Sequence, residues 1–422
     1  MESNKLRVLF LTDNFPPEVN APANRTFEHC CEWVSNGVEV TVITCAPNFP
    51  KGKVFAGYRN ALWQVETMRG IRVVRVWTYI TSNEGFFKRI LDYVSFMFSA
   101  SIAALLVGKI DLIIGTSPQF FTVCAAWVAA TLKRKPWIFE LRDIWPESIK
   151  VVGMMKESMA IRMVERIEMF LYRQSSSIVT VTHSFKEKLI SRGIDSNKIG
   201  IVTNGVDLKS FVPQEKDTEL LEKLGLKDCF VAGYIGTHGI AHGLETLLSA
   251  AEQLQKMNET SNIRFLFLGD GSQKAELLAS SRMSRLQNVL FLDSVPREDV
   301  ARYWSLLDIS IIHLRKTELF KSVIPSKLFE CMSMGIPVLH GVSGESADIV
   351  RTKDVGEVFE PENVSQLVEA LLRIKQDQES LNRYRQNGPI AARHYDRTFL
   401  AKEMLKILKH VKVAAQNQNI TL

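Results

Sequence analysis

A lysine and a glutamate interrupt a short apolar segment in the second half of the chain. The segment reads VIPSKLFECMSMGIPVL over residues 323–339, and its Pro325 and Gly335 are typical of the first residue and the end of one helix. Lys327 and Glu330 are three residues apart, so they lie on one face near the N-terminus of that helix. Backbone N–H groups are free there and bind phosphate well. The pattern predicts a phosphate site, and a surface salt bridge between the two side chains is the alternative.

Three further cations precede this helix. Arg315, Lys316 and Lys321 belong to the stretch LRKTELFKS, and with Lys327 they bring four positive charges close to the helix N-terminus. This concentration of charge favours an anion site over a salt-bridged surface. A carboxylate such as that of Glu330 can also accept hydrogen bonds from the two vicinal hydroxyls of a ribose.

Two glycine-rich turns follow segments with the apolar character of strands. YIGTHGIAHG spans residues 234–243, and LGDGS spans residues 268–272. Their glycines let the backbone approach a ligand closely, and their free N–H groups suit a pyrophosphate. Neither turn is a P-loop, because no Gly-Lys-Ser/Thr sequence closes it. Together with the lysine-bearing helix they predict a pocket for a nucleoside diphosphate, and tight turns alone are the alternative.

The first half of the chain carries polar residues after two of its predicted strands. TDNFPPEVNAPANR, residues 12–25, is long and polar for a connector, and ELRDIWPES, residues 140–148, holds several ionisable groups beside a tryptophan. For Glu140, Arg142 and Asp143 a local ion-pair network at a strand end is the alternative to a functional role. No metal-ligand spacing is present, and no G-x-S-x-G sequence supports a serine nucleophile.

Composition limits the classes of function. The chain has 422 residues, of which 46% are hydrophobic and 23% are charged, and its net charge is +6. The length predicts two domains. The modest positive charge fits anionic ligands or an anionic membrane, and the lack of a Lys/Arg block with interleaved aromatic residues argues against nucleic acid. Six cysteines without CxxC spacing predict reduced thiols in the cytoplasm, and the N-terminal apolar run is too short for a signal peptide.

One segment raises the question of a membrane contact. Residues 85–108 read GFFKRILDYVSFMFSASIAALLVG, and their uncharged part is shorter than the roughly 20 residues that span a bilayer. Basic residues at one end, with the basic stretch LKRKPW at residues 132–137, would suit lipid headgroups while the apolar part packs or enters the interface. The alternative is a buried core helix.

Short β-branched segments alternate with longer helical periods, which predicts parallel sheets covered by helices. Strands are predicted at residues 7–12, 38–44, 71–77, 111–117, 136–142, 177–182 and 198–204, and again at residues 229–236, 262–271, 288–295, 308–314, 336–341 and 355–360. The fold class expected is α/β, with two doubly wound Rossmann-like domains, residues 1–206 and 207–389, facing a central cleft. A C-terminal helix of about residues 390–422 is expected to cross back to the first domain.

Taken in order, these motifs resemble those of the retaining, nucleotide-sugar-dependent glycosyltransferases of family 4, which have the GT-B fold. The segments that carry the resemblance are DNFPPEVNAPANR, FELRDIWPES, IVTNGVDLKSF, FLGDGS and VIPSKLFECMSMGIPVL, and they span nearly the whole chain. Within the family the chain is similar to bacterial enzymes of O-antigen and capsule assembly, including L-fucosaminyltransferases. The resemblance implies an N-terminal acceptor-binding domain and a C-terminal nucleotide-sugar-binding domain.

The resemblance also implies roles for individual residues. Glu330 matches the second glutamate of the family's E-x7-E motif and would hold the donor ribose, while Glu18, Asn20 and Arg25 would lie on the acceptor side. The expected catalytic residues are Arg142, Asp143, Lys327 and Glu330. The expected donor-binding residues are Gly236, Thr237, His238, Gly239, Gly269, Asp270, Gly271, Asp293, Val295, Lys316, Lys321, Ser326, Lys327 and Glu330.

The chain departs from the family pattern at three places. Ser322 stands where the first glutamate of E-x7-E is found in the family. The arginine and lysine that bind the donor pyrophosphate fall at Thr237 and His242, so the charge is expected from the lysines before and within the helix described above. The family's active-site histidine falls at Arg142.

The function expected is the retaining transfer of an N-acetylated amino sugar or deoxy sugar from a UDP-sugar to a polyprenyl-diphosphate-linked glycan, for O-antigen, capsule or another surface polysaccharide. The UDP-sugar is a substrate, and no cofactor or metal is expected. No enzymic nucleophile is needed, because the leaving diphosphate helps to take the acceptor proton while lysine and helix N–H groups stabilise its charge. The expected location is cytoplasmic, on the inner face of the plasma membrane. A UDP-sugar epimerase, a glycan phosphorylase and a non-catalytic nucleotide-sugar-binding protein are the alternatives.

Overall fold

The chain forms two compact units. The computed structural model describes residues 5–49, 51–81, 86–144, 159–257 and 262–420. Unit 1 comprises Met1–Thr203 with Arg397–Leu422, and unit 2 comprises Asn204–Asp396. The sequence predicted the first boundary after residue 206 and the return at about residue 390. The return to unit 1 begins later because the residues before Arg397 still form a helix and a short turn of unit 2.

Unit 1 is built on an eight-stranded sheet. Its strands are Arg7–Leu11 (β1), Glu39–Cys45 (β2), Trp63–Met68 (β3), Ile71–Val76 (β4), Leu112–Thr116 (β5), Trp137–Leu141 (β6), Ser177–Thr180 (β7) and Ile199–Ile201 (β8). Their order in the sheet is β3-β4-β2-β1-β5-β6-β7-β8, and β3 alone among these strands pairs antiparallel, with β4. The seven predicted strands are present. The unpredicted β3 is an edge strand whose side chains are half-buried and exposed in alternation.

Helices cover both faces of this sheet. They are Ala21–Ser35 (α1), Phe86–Leu106 (α2), Phe120–Lys133 (α3), Met159–Gln174 (α4), His183–Ser191 (α5) and the C-terminal Arg397–Ile420, which is α14 in the numbering of the whole chain. Leu9 and Leu11 of β1 pack toward α2, α3 and α4, whereas Val8 and Phe10 pack toward α1 and α14. Burial of both faces explains why the central strands are almost continuously apolar.

Unit 2 is built on a six-stranded sheet. Its strands are Phe230–Ile235 (β9), Ile263–Leu268 (β10), Val289–Leu292 (β11), Ile309–His313 (β12), Val338–Gly341 (β13) and Gly356–Val358 (β14). All of them pair parallel, in the order β11-β10-β9-β12-β13-β14. The order reverses between β9 and β12, and ligands of open parallel sheets bind beyond the carboxyl ends of strands at such a point. The predicted fold class of two Rossmann-like α/β domains is confirmed.

Eight helices are described in unit 2. They are Thr218–Lys223 (α6), Glu245–Lys256 (α7), Lys274–Met283 (α8), Arg297–Trp304 (α9), Lys327–Met334 (α10), Glu345–Lys353 (α11), Val364–Gln376 (α12) and Gln378–Ala392 (α13). The helix predicted from Pro325 begins at Lys327, and Ser326 precedes it without making a side-chain cap. Its end is as predicted, since Gly335 has a φ of 66° in the left-handed region.

The apolar segment predicted at residues 85–108 forms α2. By length and composition alone Lys88–Leu106 could cross a membrane, yet only 22% of that window is buried inside the unit. Phe96, Ala100, Ala103 and Ala104 pack into the core, while Phe98 and other side chains remain exposed. The helix is therefore a core helix on one side and an exposed apolar surface on the other.

Candidate active site

Lys327 opens α10 and carries its ammonium group into the interior of unit 2. Nζ lies 3.6 Å from the centroid of the Tyr234 ring, whose face attracts a cation, and a Cβ built on Gly236 would lie 2.9 Å from it. Nζ is buried and has no hydrogen-bond partner among the described residues. Burial lowers the pKa of Lys327 to about 7, although Cys331 and Glu330 pull it upward. A buried cation without a bonded counter-ion, beside a glycine turn, is prepared to receive an anion.

The glycines of the two predicted turns bring two loops of the chain together. Gly269 and Gly271 have φ values of 146° and 158°. A Cβ on Gly269 would lie 1.9 Å from the carbonyl oxygen of Gly236, and one on Gly271 would lie 2.5 Å from that of His238. The His238 amide donates to the carbonyl of Asp270 at 2.8 Å. These two glycines are required where the loop after β10 packs on the loop after β9, which differs from the predicted reason of close approach to a ligand.

Two histidines of the loop after β9 are held neutral. His238 is fully buried, and both of its ring nitrogens lack partners in the described structure. Burial, and then repulsion from Lys274 and Lys327, lower its pKa to about 4. Burial, followed by repulsion from Lys327, lowers the pKa of His242 to about 3. Near neutral pH neither imidazole carries charge, so the positive charge beside this loop comes from Lys274 and Lys327.

The exposed cations that precede α10 are already paired. Lys316 donates to Glu360 at 2.5 Å and Lys321 to Glu318 at 2.6 Å, and the lysine side chains are 61% and 50% exposed. Arg315 pairs with the carboxylates of Glu245 and Glu362. The sequence predicted Lys316 and Lys321 as donor-binding residues. Proximity along the chain could not reveal that neighbouring carboxylates hold them at the surface.

A cavity of about 320 Å³ opens beyond the carboxyl ends of β12 and β13. Its lining residues are Arg315, Lys316, Thr317, Glu318, Phe320, Lys321, Val342, Ser343 and Pro361. Gly236, Lys327 and Glu330 do not line it. The paired cations Arg315, Lys316 and Lys321 therefore line a cavity that is separate from the surroundings of the Lys327 ammonium.

A lysine that the sequence reasoning missed joins two of the loops. Nζ of Lys274 donates to Asp293 at 2.6 Å, to the carbonyl of Gly269 at 2.8 Å and to that of Leu292 at 3.1 Å. Its side chain is 12% exposed, against 96% for Asp293. Lys274 therefore fixes the loop after β10 against the loop after β11. The stretch GDGSQK placed it two residues beyond the predicted turn, but nothing in that spacing indicated the direction of its side chain.

The predicted donor-binding residues fall into two groups. Gly236, Thr237, His238, Gly239, Gly269, Asp270, Gly271, Asp293, Val295, Ser326, Lys327 and Glu330 lie on the loops after β9, β10 and β11 or at the start of α10. Within this group the Tyr234 hydroxyl donates to the Thr237 carbonyl at 2.8 Å. Glu330 is half-buried in the first turn of α10. Lys316 and Lys321 form the second group, around the cavity.

In unit 1 the predicted acceptor residues make internal contacts. Oε1 of Glu18 accepts from the amides of Asn48 and Phe49 at 2.7 and 2.9 Å, and burial raises the pKa of this carboxyl. Asn20 caps α1 by accepting from the Ala23 amide at 2.8 Å. These bonds fix the loop after β1. Contact of Glu18 or Asn20 with an acceptor stays a prediction.

Arg25 is buried in an ion pair and its donors point inward. Its Nε lies 3.1 Å from Oε1 of Glu140, and the two side chains are 5% and 1% exposed. Its other nitrogens donate to the carbonyls of Thr203 and Val202 at 2.6 and 2.8 Å. The sequence placed Arg25 on the acceptor side, but these bonds make it a residue that holds the end of unit 1. Glu140 does form an ion pair, although its partner Arg25 is 115 residues away and is not part of the local network that the sequence offered as the alternative.

The predicted catalytic pair in unit 1 lies at the end of β6. The amides of Arg142 and Asp143 both donate to Oγ of Ser117, at 2.8 and 3.2 Å. Nη1 of Arg142 donates to the Pro22 carbonyl at 3.3 Å, while its buried Nε has no partner among the described residues. Burial lowers the pKa of Arg142 to about 10, although Glu140 raises it. The rest of the predicted segment, residues 145–148, lies outside the described residues.

Asp13, two residues beyond the end of β1, was not singled out from the sequence. Burial, and then repulsion from Asp92 and Glu18, raise the pKa of its carboxyl to about 8. Sγ of Cys45 lies 3.7 Å from Oδ1 of Asp13. This carboxyl is protonated near neutral pH and can donate a hydrogen bond. Across the described ranges no three His, Cys, Asp or Glu side chains group closely enough to hold a metal ion.

Two family models match the chain. The model described as "Glycosyl transferases group 1" matches residues 216–390, and the "Glycosyl transferase 4-like domain" matches residues 20–205. Between them they account for most of both units. By these two matches the chain is a glycosyltransferase. The finer likeness to L-fucosaminyltransferases stays a prediction.

Curated relatives of this glycosyltransferase are distant. A glycosyl transferase of Escherichia coli K12 named for colanic acid biosynthesis, WcaI, is 25% identical over 342 residues, which is 78% of this chain and 82% of that protein. The UDP-Gal:alpha-D-GlcNAc-diphosphoundecaprenol alpha-1,3-galactosyltransferase of Escherichia coli is 24% identical over 217 residues, half of this chain. That second match spans 54% of the relative's length.

Solved structures share the fold of the glycosyltransferase. A sucrose-phosphate synthase from Thermosynechococcus elongatus has a TM-score of 0.74 at 16% identity, over 97% of this chain and 100% of that one. The Anabaena protein HepE, solved with UDP and glucose, has a TM-score of 0.72 at 16% identity, over 96% and 99% of the two chains. At such low identity these likenesses support the fold alone.

Proposed function

We propose that the protein is a retaining glycosyltransferase that moves an N-acetylated amino sugar or a deoxy sugar from a UDP-sugar to a polyprenyl-diphosphate-linked glycan. The observation that carries the donor half is the buried, unbonded ammonium of Lys327 at the start of α10, beside Gly236. A diphosphate at this position would meet a cation and the free N–H groups of a helix N-terminus. Glu330, one turn further along α10, would hold the ribose.

The chemistry assigned to these residues is stabilisation of the leaving group. The bond between the sugar and the diphosphate breaks, and its electron pair passes to the diphosphate, whose added charge Lys327 and the helix N–H groups stabilise. The acceptor hydroxyl bonds to the same face of the sugar and gives its proton to the departing diphosphate. Arg142 and Asp143 are proposed to act on the acceptor side. The reaction is proposed to run without a metal.

The relatives support the biological setting of the proposal. WcaI is named for colanic acid biosynthesis, and the galactosyltransferase is named for a diphosphoundecaprenol acceptor and a UDP-Gal donor. HepE was solved with UDP. We therefore propose synthesis of a surface polysaccharide from a UDP-sugar, on the inner face of the plasma membrane where a polyprenyl-linked acceptor is anchored.

The test is UDP release from a panel of UDP-sugars, with and without a polyprenyl-diphosphate-linked sugar acceptor. Transfer predicts release that depends on the acceptor, together with a labelled lipid-linked product. Conversion of one UDP-sugar into another without an acceptor would identify an epimerase. Thermal stabilisation by UDP without turnover on any donor would favour the non-catalytic alternative and overturn the proposed transfer.

A further inference from the structure

Exposed apolar side chains concentrate on three helices of unit 1. Ten of the 25 large hydrophobic side chains that are exposed in the described chain belong to α2, α3 and α4. On α2, Leu91, Phe98, Ile102 and Leu105 are 42–61% exposed, at spacings of seven, four and three residues. Such spacings place side chains on one face of a helix.

The helix α4 carries a second apolar stripe. Met159, Met163, Ile167 and Phe170 follow one another at intervals of four and three residues, and each is 38–86% exposed. Large exposed apolar patches mark surfaces that bind a partner or a membrane. The stripes of α2 and α4, together with Leu132 at the end of α3, form the apolar face of unit 1.

The helix α3 joins the two stripes into one layer. The ring of Trp127 on α3 meets that of Phe170 at a centroid distance of 5.3 Å. At the end of α3, Nζ of Lys133 donates to the carbonyl of Val107, just beyond α2, at 2.8 Å. The inner sides of all three helices pack in the same core cluster. The apolar face is therefore continuous across the outside of that layer.

The exposed charges on the described parts of these helices are all positive. Lys88, Arg162, Arg166 and Arg173 are exposed on α2 and α4, and the described parts of the three helices have no exposed aspartate or glutamate. Their acids are half-buried or buried, as is Glu168, which accepts from Tyr172. Basic residues around an apolar surface complement anionic lipid headgroups.

We propose that the apolar face docks on an anionic lipid bilayer, with α2, α3 and α4 lying in the plane of the interface. Because α2 has one fully buried side, with Phe96 and Ala100 in the core, it lies along the bilayer surface and does not cross it. Helices of this kind enter the boundary between headgroups and acyl chains by about 5–10 Å. The apolar face would be the surface by which the protein binds the inner face of the plasma membrane, whether or not the transfer reaction is as proposed.

The experiment is co-sedimentation of the full chain with vesicles of phosphatidylcholine alone and of phosphatidylcholine with phosphatidylglycerol. We expect binding to the anionic vesicles, weakened by added salt because exposed charges are screened. Met159→Glu should reduce that binding about tenfold or more, since it removes a large apolar contact and adds a repelled charge. The matched control is Met283→Glu in unit 2, because Met283 is 85% exposed and Met159 is 86% exposed.

A second variant and a solution measurement keep the outcomes separate. Phe98→Glu should lower binding as Met159→Glu does, while UDP still raises the melting temperature of both variants by the same amount as in the natural chain. Equal binding by Met159→Glu, Phe98→Glu and Met283→Glu would overturn the proposal, and so would binding independent of phosphatidylglycerol. A dimer that Phe98→Glu dissolves, in a protein that binds no vesicles, would instead assign the face to a second copy of the chain.

Discussion

Replacing Lys327 with methionine removes its charge while keeping much of its volume. We expect Lys327→Met to bind UDP about 10- to 150-fold more weakly than the natural chain. A hydrogen bond to a charged group contributes about 1.5–3 kcal/mol, and about 1.4 kcal/mol corresponds to a factor of ten in the dissociation constant. The buried ammonium has no partner among the described residues, so the bound diphosphate gains this interaction without displacing another.

The same substitution should stabilise the folded protein. The pKa of Lys327 is lowered from 10.5 to about 7 by burial, and each pKa unit is worth about 1.4 kcal/mol, so burying the ammonium costs several kcal/mol. This cost is fully present below about pH 7 and is lost as the pH rises toward 10.5, because only the unfolded chain keeps the proton in that window. We expect the melting temperature of Lys327→Met to exceed that of the natural chain at pH 7, by a margin that narrows as the pH rises.

Calorimetric titration with UDP between about pH 7 and pH 9 measures the binding side of this prediction. The natural chain should bind UDP more weakly as the pH rises through the folded pKa of Lys327, because the ammonium must be present to bind. Lys327→Met should lack this slope. The control Lys321→Met removes a half-exposed lysine paired with Glu318, and its affinity should stay within about fivefold of the natural value. Equal losses of UDP affinity in Lys327→Met and Lys321→Met would refute the assignment of the diphosphate to Lys327.

Three further predictions concern stability. Gly271→Ala should lower the free energy of unfolding of unit 2 by roughly 1–3 kcal/mol, because the added Cβ would lie 2.5 Å from a carbonyl oxygen. The control is Gly108→Ala, whose added Cβ meets nothing within 4 Å. Equal melting temperatures of the two variants would contradict this prediction. Asp13→Asn should raise the melting temperature at pH 8 and leave it unchanged at pH 4. The pKa of Asp13 is raised from 3.8 to about 8 in the folded protein. Burying the ionised carboxylate therefore destabilises the folded state fully above pH 8, and this destabilisation is absent below the unfolded pKa. Arg25→Met should destabilise unit 1 by roughly 3–5 kcal/mol in denaturant titrations, because it leaves the buried charge of Glu140 unpaired; a loss under about 1 kcal/mol would mean that water reaches this carboxylate.

The parallel sheets were predictable because burial on both faces leaves a local trace in the sequence. Residues 8–11 of β1 and residues 265–268 of β10 are apolar without interruption, and each predicted strand of this kind is found. The strand β3 leaves no such trace, since it lies at a sheet edge and Gln64, Glu66 and other polar side chains alternate along it. An edge strand such as β3 is identified by its pairing with a neighbouring strand, here β4. The six residues of β3 do not by themselves reveal that pairing.

For ion pairs between distant residues, the sequence indicated that a charged side chain would be paired but did not identify its partner. The sequence offered a local network as one reading of Glu140, and the structure supplies its partner from Arg25 at a separation of 115 residues. The same arginine binds the carbonyls of Val202 and Thr203, where unit 1 ends. Nothing in the stretch around Arg25 distinguishes an arginine that faces a substrate from one that closes the core, because both follow a polar loop and begin a helix.

The lysines near α10 show what decides whether a cation can serve an anion. Lys321 must exchange the carboxylate of Glu318 for a phosphate, so its net contribution is the small difference between two similar ion pairs in water. Among the described residues Nζ of Lys327 has no hydrogen-bond partner, and it lies over the ring of Tyr234, which is far away in the sequence. A phosphate that reaches Lys327 therefore relieves a cost that folding has imposed, and the interaction is strong because the unbound state is poor. Sequence spacing brought both lysines close to the N-terminus of α10, and we propose that burial makes Lys327 the stronger anion ligand.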